Sequence, residues 1–116
     1  LPYGTEVDVY NLHAEAGSSP EDQRLQHDDF QQLAAFIEAN SAGRPVILGG
    51  DTNLHTDEEP DDPQDAEDTT IWQGLLEATG LTDVCEALDC DQPGRIDKFA
   101  FRSSDDVELE PLTWNF

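Results

Sequence analysis

The stretch that decides the fold of this chain covers residues 46–53 and reads Val-Ile-Leu-Gly-Gly-Asp-Thr-Asn. Residues 46–49 are expected to form a short buried strand, because Val and Ile fit a pleated surface that is covered on both faces. The two glycines are expected to end this strand, so that Asp51 and Asn53 emerge just past its C-terminal edge. Polar side chains at such an edge escape the packed layers and can converge on a ligand.

A carboxylate and an amide two residues apart suit phosphate chemistry. The carboxylate of Asp51 can accept a proton, and the amide of Asn53 can donate hydrogen bonds to a phosphoryl oxygen. The alternative is a strand that ends in an Asx-turn, which Asp and Asn favour for purely local reasons. Taken alone, residues 50–53 favour the Asx-turn. Only the neighbouring motifs favour a functional site here.

The residues before this stretch predict a strand followed by a helix. Residues 6–13 alternate polar and apolar side chains, which is typical of a strand. Ser19 is a suitable helix N-cap, Pro20 suits the first helical position, and apolar residues follow at helical spacing over 20–40. Together with the strand at 46–49, these elements make a β-α-β unit.

The residues that follow the stretch predict an acidic loop and then a short helix. Residues 57–68 carry eight acidic residues and two prolines, so they are expected to form a solvated loop. Thr69 or Thr70 is expected to cap a short helix that ends just before Gly80.

The last part of the chain predicts strands. Residues 95–101 are expected to form one, and its expected core side chains are Ile96, Phe99 and Phe101. Residues 107–110 alternate again. Trp114 and Phe116 are large apolar residues that need a surface to pack against.

Charge distinguishes this chain from an average domain. It has 27 acidic residues against five basic ones, which gives a net charge of -22. Such a charge repels nucleic acid and anionic membranes, because non-specific DNA affinity depends on cations that neutralise phosphates. The composition resembles that of proteins from salt-loving organisms, in which salt screens the repulsion, and a sink for polyvalent cations is the alternative. The 116 residues make at most one domain, and no run of about 18 apolar residues predicts a membrane span.

Cys85 and Cys90 are the two cysteines. Two thiols alone cannot complete a four-ligand zinc site. A short-loop disulfide in an exported protein and two buried free thiols are the alternatives, and the spacing does not decide between them. Because five residues allow the chain to double back, we favour the disulfide and, with it, an extracellular location.

Three short motifs follow one another along the chain, and they are Asn11-Leu12-His13, Gly50-Asp51-Thr52-Asn53 and Arg95-Ile96-Asp97. In this order they resemble the Asn-x-His, Gly-Asp-x-Asn and Arg-Ile-Asp signatures of the endonuclease/exonuclease/phosphatase superfamily. Its members are metal-dependent phosphodiesterases, and they include pancreatic-type deoxyribonuclease, abasic-site endonucleases and neutral sphingomyelinases. Residues 78–83 also resemble the family segment that ends a helix before an Asp-bearing strand.

The resemblance implies a role for each matching residue. Asp51 would orient or deprotonate the attacking water as general base, while Asn53 would hold that water or a phosphoryl oxygen. His13 would donate a hydrogen bond to the phosphate as negative charge develops. Asp97 would fix the orientation of a partner histidine. Asn11 would join Asn53 in binding phosphate.

Local alternatives exist for two of these residues. Without the other motifs, His13 would be interpreted as a histidine at the end of a strand whose hydrogen bonds are satisfied within the fold. Asp97 is explained by a salt bridge to Arg95 or Lys98. The remaining histidines, His27 and His55, match no signature.

The resemblance also implies parts that the sequence does not contain. Family members carry a metal-binding Glu on an early strand and end with Ser-Asp-His, whereas residues 103–106 read Ser-Ser-Asp-Asp without a histidine. Residues 1–116 are therefore expected to be the central segment of one phosphodiesterase-like domain, truncated at both ends. The expected fold is α/β, part of a two-sheet β-sandwich with flanking helices, in a domain of about twice this size.

The expected function is divalent-metal-dependent hydrolysis of a phosphodiester, with the missing segments of the same domain as partners and with little activity in this segment alone. Mg²⁺ is the expected cofactor, because it prefers hard oxygen ligands and can polarise a phosphate. A lipid headgroup, a small molecule and a nucleic acid are the candidate substrates, and the lack of a basic stripe counts against DNA. The alternative is a non-catalytic, degenerate or truncated domain that serves binding or regulation.

Overall fold

In a computed structural model of the protein, which describes residues 4–17, 19–56 and 62–115, four strands form one sheet. The strands are β1 (Asp8–His13), β2 (Val46–Asp51), β3 (Thr82–Asp83) and β4 (Asp97–Arg102). The helices are α1 (Pro20–Asn40), α2 (Pro63–Thr79) and α3 (Val84–Leu88). The strand order is β1-β2-β4-β3, in which β1 is parallel to β2 and β4 is antiparallel to both of its neighbours. The predicted α/β class is confirmed.

Helix α1 has the bounds that the sequence predicts. The hydroxyl of Ser19 accepts the backbone N–H of Asp22 (3.1 Å), and the carboxylate of Asp22 accepts the N–H of Ser19 (3.3 Å). This reciprocal pair satisfies two donors that a helix start leaves open. The β1-α1-β2 unit is therefore confirmed, with both of its strands parallel.

Helix α2 begins earlier than predicted, so part of the acidic loop prediction is wrong. The carboxylate of Asp62 accepts the N–H of Gln64 (2.8 Å), and Pro63 occupies the first turn. Acidic residues suit this position because the helix dipole places positive charge there. Residues 63–68 are thus helical, while 57–61 lie outside the described residues. Gly80 ends the helix in the left-handed conformation (φ 69°), as predicted.

Helices α1 and α2 cover one face of the sheet, and the core lies between them and the strands. Its buried apolar members are Phe30, Ala34, Ile37, Val46, Leu48, Leu54, Ile71, Trp72, Leu75, Leu76, Leu81 and Ala100. On the other face, the side chains of Val9, Ile47 and Phe99 are exposed among the described residues. The expectation that the strand at 46–49 is covered on both faces is therefore met on one face only in the described part of the chain.

Strand β4 turns its aromatic side chains away from the helices, contrary to the predicted core. Lys98 and Ala100 point toward the helices and are buried, whereas Phe99 is 48% exposed. The ring of Phe99 lies over Gly49, whose lack of a side chain leaves room for it. It also meets the ring of Trp114 edge-on, with 6.3 Å between ring centroids. Trp114 thus packs on the open sheet face, while Phe116 lies outside the described residues.

Residues 107–110 are not part of the sheet, so their alternation does not make a strand. They are held instead by the hydroxyl of Ser103, which accepts the N–H of Leu109 (2.8 Å). A side-chain acceptor here takes the place of a neighbouring strand.

Strand β2 continues through both glycines to Asp51, so the prediction that they end it is wrong. Gly50 has φ 142°, and a Cβ at this position would collide with the carbonyl oxygen of Leu12 on β1. The glycine is needed because it lets the two parallel strands stay close up to their last residues.

Cys85 and Cys90 form a disulfide bond, which confirms the favoured alternative. It closes a short loop between α3 and the segment that leads into β4. In the described part of the chain, no helix combines the length and the apolar character that crossing a membrane requires.

Candidate functional site

The strand register brings the ends of the three motifs side by side. His13 on β1 is the register partner of Asp51 on β2, and Asp51 is the partner of Asp97 on β4. Register partners on neighbouring strands project their side chains to the same face of a sheet. The three residues therefore form a row across one end of the sheet, on the face that the helices leave open.

The carboxylate of Asp51 lies at the centre of this row and is held in one orientation. Its Oδ1 accepts the backbone N–H of Asn53 (2.9 Å), and its Oδ2 lies 3.6 Å from Nε2 of His13. The His13 side chain is 79% exposed, so a ligand can reach it from solvent. This exposure argues against the alternative of a histidine satisfied within the fold.

Asn53 is fixed by the turn that follows β2. Its backbone is left-handed (φ 52°), and its Nδ2 donates to the carbonyl oxygen of Ala14 (2.7 Å). The bond from its N–H to Asp51 is the Asx-turn that the local alternative predicts, so the turn and the site interpretation coexist. The amide nitrogen carries a second hydrogen, which is the one able to reach a phosphoryl oxygen.

Asp97 and Asn11 lie on the same open face. The alternative of a salt bridge from Asp97 to Arg95 or Lys98 is wrong, because Asp97 forms no ion pair with either of them in the described part of the chain. Lys98 in addition points toward the helices, away from Asp97. Asn11 precedes His13 by two residues on β1, and a Cβ at Gly50 would lie 3.0 Å from its Oδ1. Asn11 is therefore next to the row but not in it.

Thr52, which lies between Asp51 and Asn53 in the second motif, supports the site in a way that the motif does not predict. Thr52 is fully buried, and its backbone N–H (2.8 Å) and hydroxyl (2.7 Å) both donate to the carbonyl oxygen of Ile96. This pair of bonds joins the turn after β2 directly to the residue before Asp97. A small hydroxyl residue between two polar strand-end residues is the only signal that the sequence offers for it.

Asp68 on α2 is a second residue that the motifs do not predict. It is fully buried, and its Oδ2 accepts the backbone N–H of His55 (3.0 Å), two residues after Asn53. Its Oδ1 has no hydrogen-bond partner among the described residues. Burial raises the pKa of the Asp68 carboxyl, because desolvation penalises its charged form.

This raised pKa predicts a pH-dependent stability. The folded protein retains the Asp68 proton to higher pH than the unfolded chain does, so stability is lost as pH rises through the folded-state pKa. Asp68→Asn keeps an oxygen for the N–H of His55 but cannot ionise. We expect this variant to be more stable than the wild type at pH 7, and the difference to vanish below about pH 4.

Urea denaturation at several pH values measures this difference. Glu67→Gln removes an exposed acid from the same helix and is the control, for which we expect a small change with little pH dependence. A difference between Asp68→Asn and the wild type that stays constant across pH would contradict the expectation.

The described residues do not form a complete metal site. Among them, no group of three or more His, Cys, Asp or Glu side chains converges on a point where a metal ion would be held. Asp51 and Asp97 supply carboxylate oxygens of the kind that Mg²⁺ prefers, but further ligands are needed to bind the ion.

Comparison with known proteins gives the family. Over 83 residues, the chain is 36% identical to the sphingomyelinases of Mycobacterium tuberculosis and Mycobacterium bovis. The match covers 72% of this chain and 14% of each of those proteins. The chain belongs to the endonuclease/exonuclease/phosphatase superfamily. No family model matches it.

Solved structures of this superfamily share the fold. The humanised D. rerio TDP2 superposes with a TM-score of 0.56 and 19% identity, covering 92% of this chain and 40% of that chain. Beta toxin of Staphylococcus aureus superposes with a TM-score of 0.54 and 13% identity, covering 92% of this chain and 41% of that chain. The described elements are therefore part of a deoxyribonuclease-like fold, as the motifs predict.

Proposed function

We propose that this chain carries part of the active site of a divalent-metal-dependent phosphodiester hydrolase. The observation that carries the proposal is the row of His13, Asp51 and Asp97 at one end of the sheet, with Asn53 in the turn beside it. The relationship to sphingomyelinases, which hydrolyse a phosphodiester, supports it.

In this proposal each side chain has a distinct task. Asp51, held by the N–H of Asn53, accepts the proton of the water that attacks phosphorus. His13 donates a hydrogen bond to a phosphoryl oxygen as charge develops, which helps because the donor is already in place. Asn53 holds the water or another phosphoryl oxygen with its amide. Asp97 orients a histidine that another segment of the same domain would supply.

Metal dependence is part of the proposal. When bound, Mg²⁺ or another divalent cation would polarise the phosphate and stabilise the leaving oxygen. Because the described residues do not complete a metal site, its ligands would include side chains from other segments of the same domain.

A lipid headgroup is the phosphodiester that we propose as substrate. The curated relatives are sphingomyelinases, which supports this substrate class. The cations also argue for it, because Arg44 is paired with Asp8 (2.8 Å), while Lys98 and Arg102 are bonded inside the fold. Three of the five basic side chains are thus engaged internally and contribute little to binding a polyanion such as DNA.

The chain spans 14% of the length of the curated sphingomyelinases that it matches. We therefore propose that other segments of the same domain complete the site and that residues 1–116 alone are nearly inactive. The Cys85–Cys90 disulfide supports an exported protein, since disulfides persist in oxidising compartments.

Hydrolysis assays on the gene product that contains this chain test the proposal. With Mg²⁺ present, we expect phosphocholine release from sphingomyelin vesicles and hydrolysis of bis-p-nitrophenyl phosphate. EDTA is expected to stop both reactions, and excess Mg²⁺ to restore them. Double-stranded DNA is the control substrate and is expected to stay intact.

Two results would contradict the proposal. Activity that survives EDTA would remove the metal dependence. Absence of hydrolysis with every phosphodiester would favour the alternative of a non-catalytic binding or regulatory domain.

A further inference from the structure

Lys98 is a buried cation whose contacts the proposed function leaves unexplained. It lies on the helix side of β4 and is 5% exposed. Its ammonium donates to Oγ1 of Thr56 (2.8 Å) and to the carbonyl oxygens of Pro93 (3.1 Å) and Arg95 (2.6 Å). It also lies 6.0 Å from the ring centroid of Trp72 on α2.

These three oxygens belong to two separate segments, each of which reaches the row of site residues. Residues 52–56, here called the Asn53 segment, follow β2. Residues 93–97, here called the Asp97 segment, lead into β4. The two segments are also joined by the bonds from Thr52 to the carbonyl oxygen of Ile96. Lys98 therefore binds both segments at the place where they meet, which is here called the seam.

We propose that Lys98 is a positioning residue that holds the Asn53 segment against the Asp97 segment. An ammonium group carries three donors, and here they reach three oxygens at different points of the seam. Burying a charge costs free energy unless hydrogen bonds compensate it, and these bonds provide that compensation. A methionine of similar length would fill the space beside Trp72 but would leave the oxygens of both segments without this donor.

The position of Lys98 excludes direct contact with a ligand on the open face. Its side chain points toward the helices, whereas Asp97 points to the other face. It acts on the site only through the two segments. The inference rests on the proposed function in one respect, namely that Asp51, Asn53 and Asp97 form a site.

Amide hydrogen exchange in Lys98→Met, measured in the gene product that contains this chain, tests the inference. The Thr52 amide is the probe, because its hydrogen bond to Ile96 crosses the seam. We expect its exchange to speed up by about 10- to 100-fold more than that of the α1 amides, as the loss of hydrogen bonds to a charged group predicts. A residue that only stabilises the fold would speed up all protected amides in proportion.

Thr79→Val is the matched control. Thr79 is a buried threonine on α2 whose hydroxyl bonds the carbonyl oxygen of Leu75 (2.7 Å), away from the seam. Its replacement is expected to speed up exchange at the Thr52 amide no more than exchange at the α1 amides. The inference is overturned if, in Lys98→Met too, exchange at the Thr52 amide speeds up only in proportion to exchange at the α1 amides.

Lys98→Gln is the second variant, for use if Lys98→Met does not fold. Its amide has two N–H donors in place of the three of the ammonium and carries no charge, while the Thr56 hydroxyl keeps its own bond to the carbonyl oxygen of Pro93 (2.8 Å). Selective exchange at Thr52 supports the inference, and proportional exchange overturns it. Because exchange needs no substrate, a gene product without phosphodiesterase activity would refute the proposed function while leaving this result readable.

Discussion

Asp51→Asn is expected to lower kcat for phosphodiester hydrolysis by about 10²- to 10⁴-fold in the gene product that contains this chain. The asparagine keeps an oxygen for the N–H of Asn53, so the turn after β2 persists. It cannot accept a proton from the attacking water. His13→Ala removes a donor to the developing phosphate charge, which is expected to cost about 10²- to 10³-fold in rate.

Rates on bis-p-nitrophenyl phosphate with Mg²⁺ measure both effects, and melting temperatures verify that the variants are folded. His27→Ala and His55→Ala are the controls. His27 lies on α1, and the imidazole of His55 belongs to none of the three motifs, so both variants are expected to stay within a few-fold of the wild type. Wild-type rates in Asp51→Asn and His13→Ala together with an inactive His55→Ala would place the site elsewhere.

Arg102→Met is expected to cause the largest loss of fold stability. The guanidinium is 13% exposed and donates to the carbonyl oxygens of Ser41 and Thr79 (2.6 Å for the latter), which lie at the C-terminal ends of α1 and α2. It also donates to the carbonyl oxygen of Arg44 (3.0 Å) and to the carboxylate of Glu38 (2.9 Å). One cation thus binds carbonyl oxygens at the C-terminal ends of both helices that cover the sheet, where the helix dipoles place negative charge.

Methionine retains most of the packing of Arg102 but none of these bonds, so we expect the free energy of unfolding to fall by about 3 kcal/mol. Urea denaturation measures it. Arg24→Met is the matched control, because Arg24 is 70% exposed and its contact with Glu21 is 4.0 Å long. That control is expected to change stability by less than about 0.5 kcal/mol. Equal losses in the two variants would contradict the role given to Arg102.

The elements that sequence predicts correctly are those with local causes. Ser19 and Pro20 start α1, and Gly80 ends α2, because capping depends on residues within one helical turn. The start of α2 is not predicted, because an acidic composition is also typical of a solvated loop. In the structure, Asp62 and Pro63 use the same composition to begin a helix.

The orientation of β4 could not be deduced from its own residues. Phe99 and Phe101 are the most apolar members of the strand, so they predict the core face. The helices lie on the side of Lys98 and Ala100, and this choice is made by elements distant in sequence. Local hydrophobicity indicates that a strand has two faces but not which of them a helix covers.

Motif order predicted the row of site residues because strand ends meet at an edge of the sheet. The residues behind the row were missed because their partners are remote in sequence. The bond between Asp68 and His55 spans 13 positions, and that between Lys98 and Thr56 spans 42. No short pattern encodes such pairs. The roles assigned to His13, Asp51, Asn53 and Asp97 stay predictions until the kinetic variants are measured.

The strand order has a consequence for how this chain folds while it is being synthesised. β4 lies between β2 and β3, although it is synthesised after both. Until residues 97–102 emerge, one edge of β2 is unpaired and β3 lacks the strand with which it pairs. Asp51 meets Asp97 only when that gap is filled. A nascent chain that stops short of β4 therefore exposes an open strand edge, and the row of site residues is completed in the same step that closes the sheet.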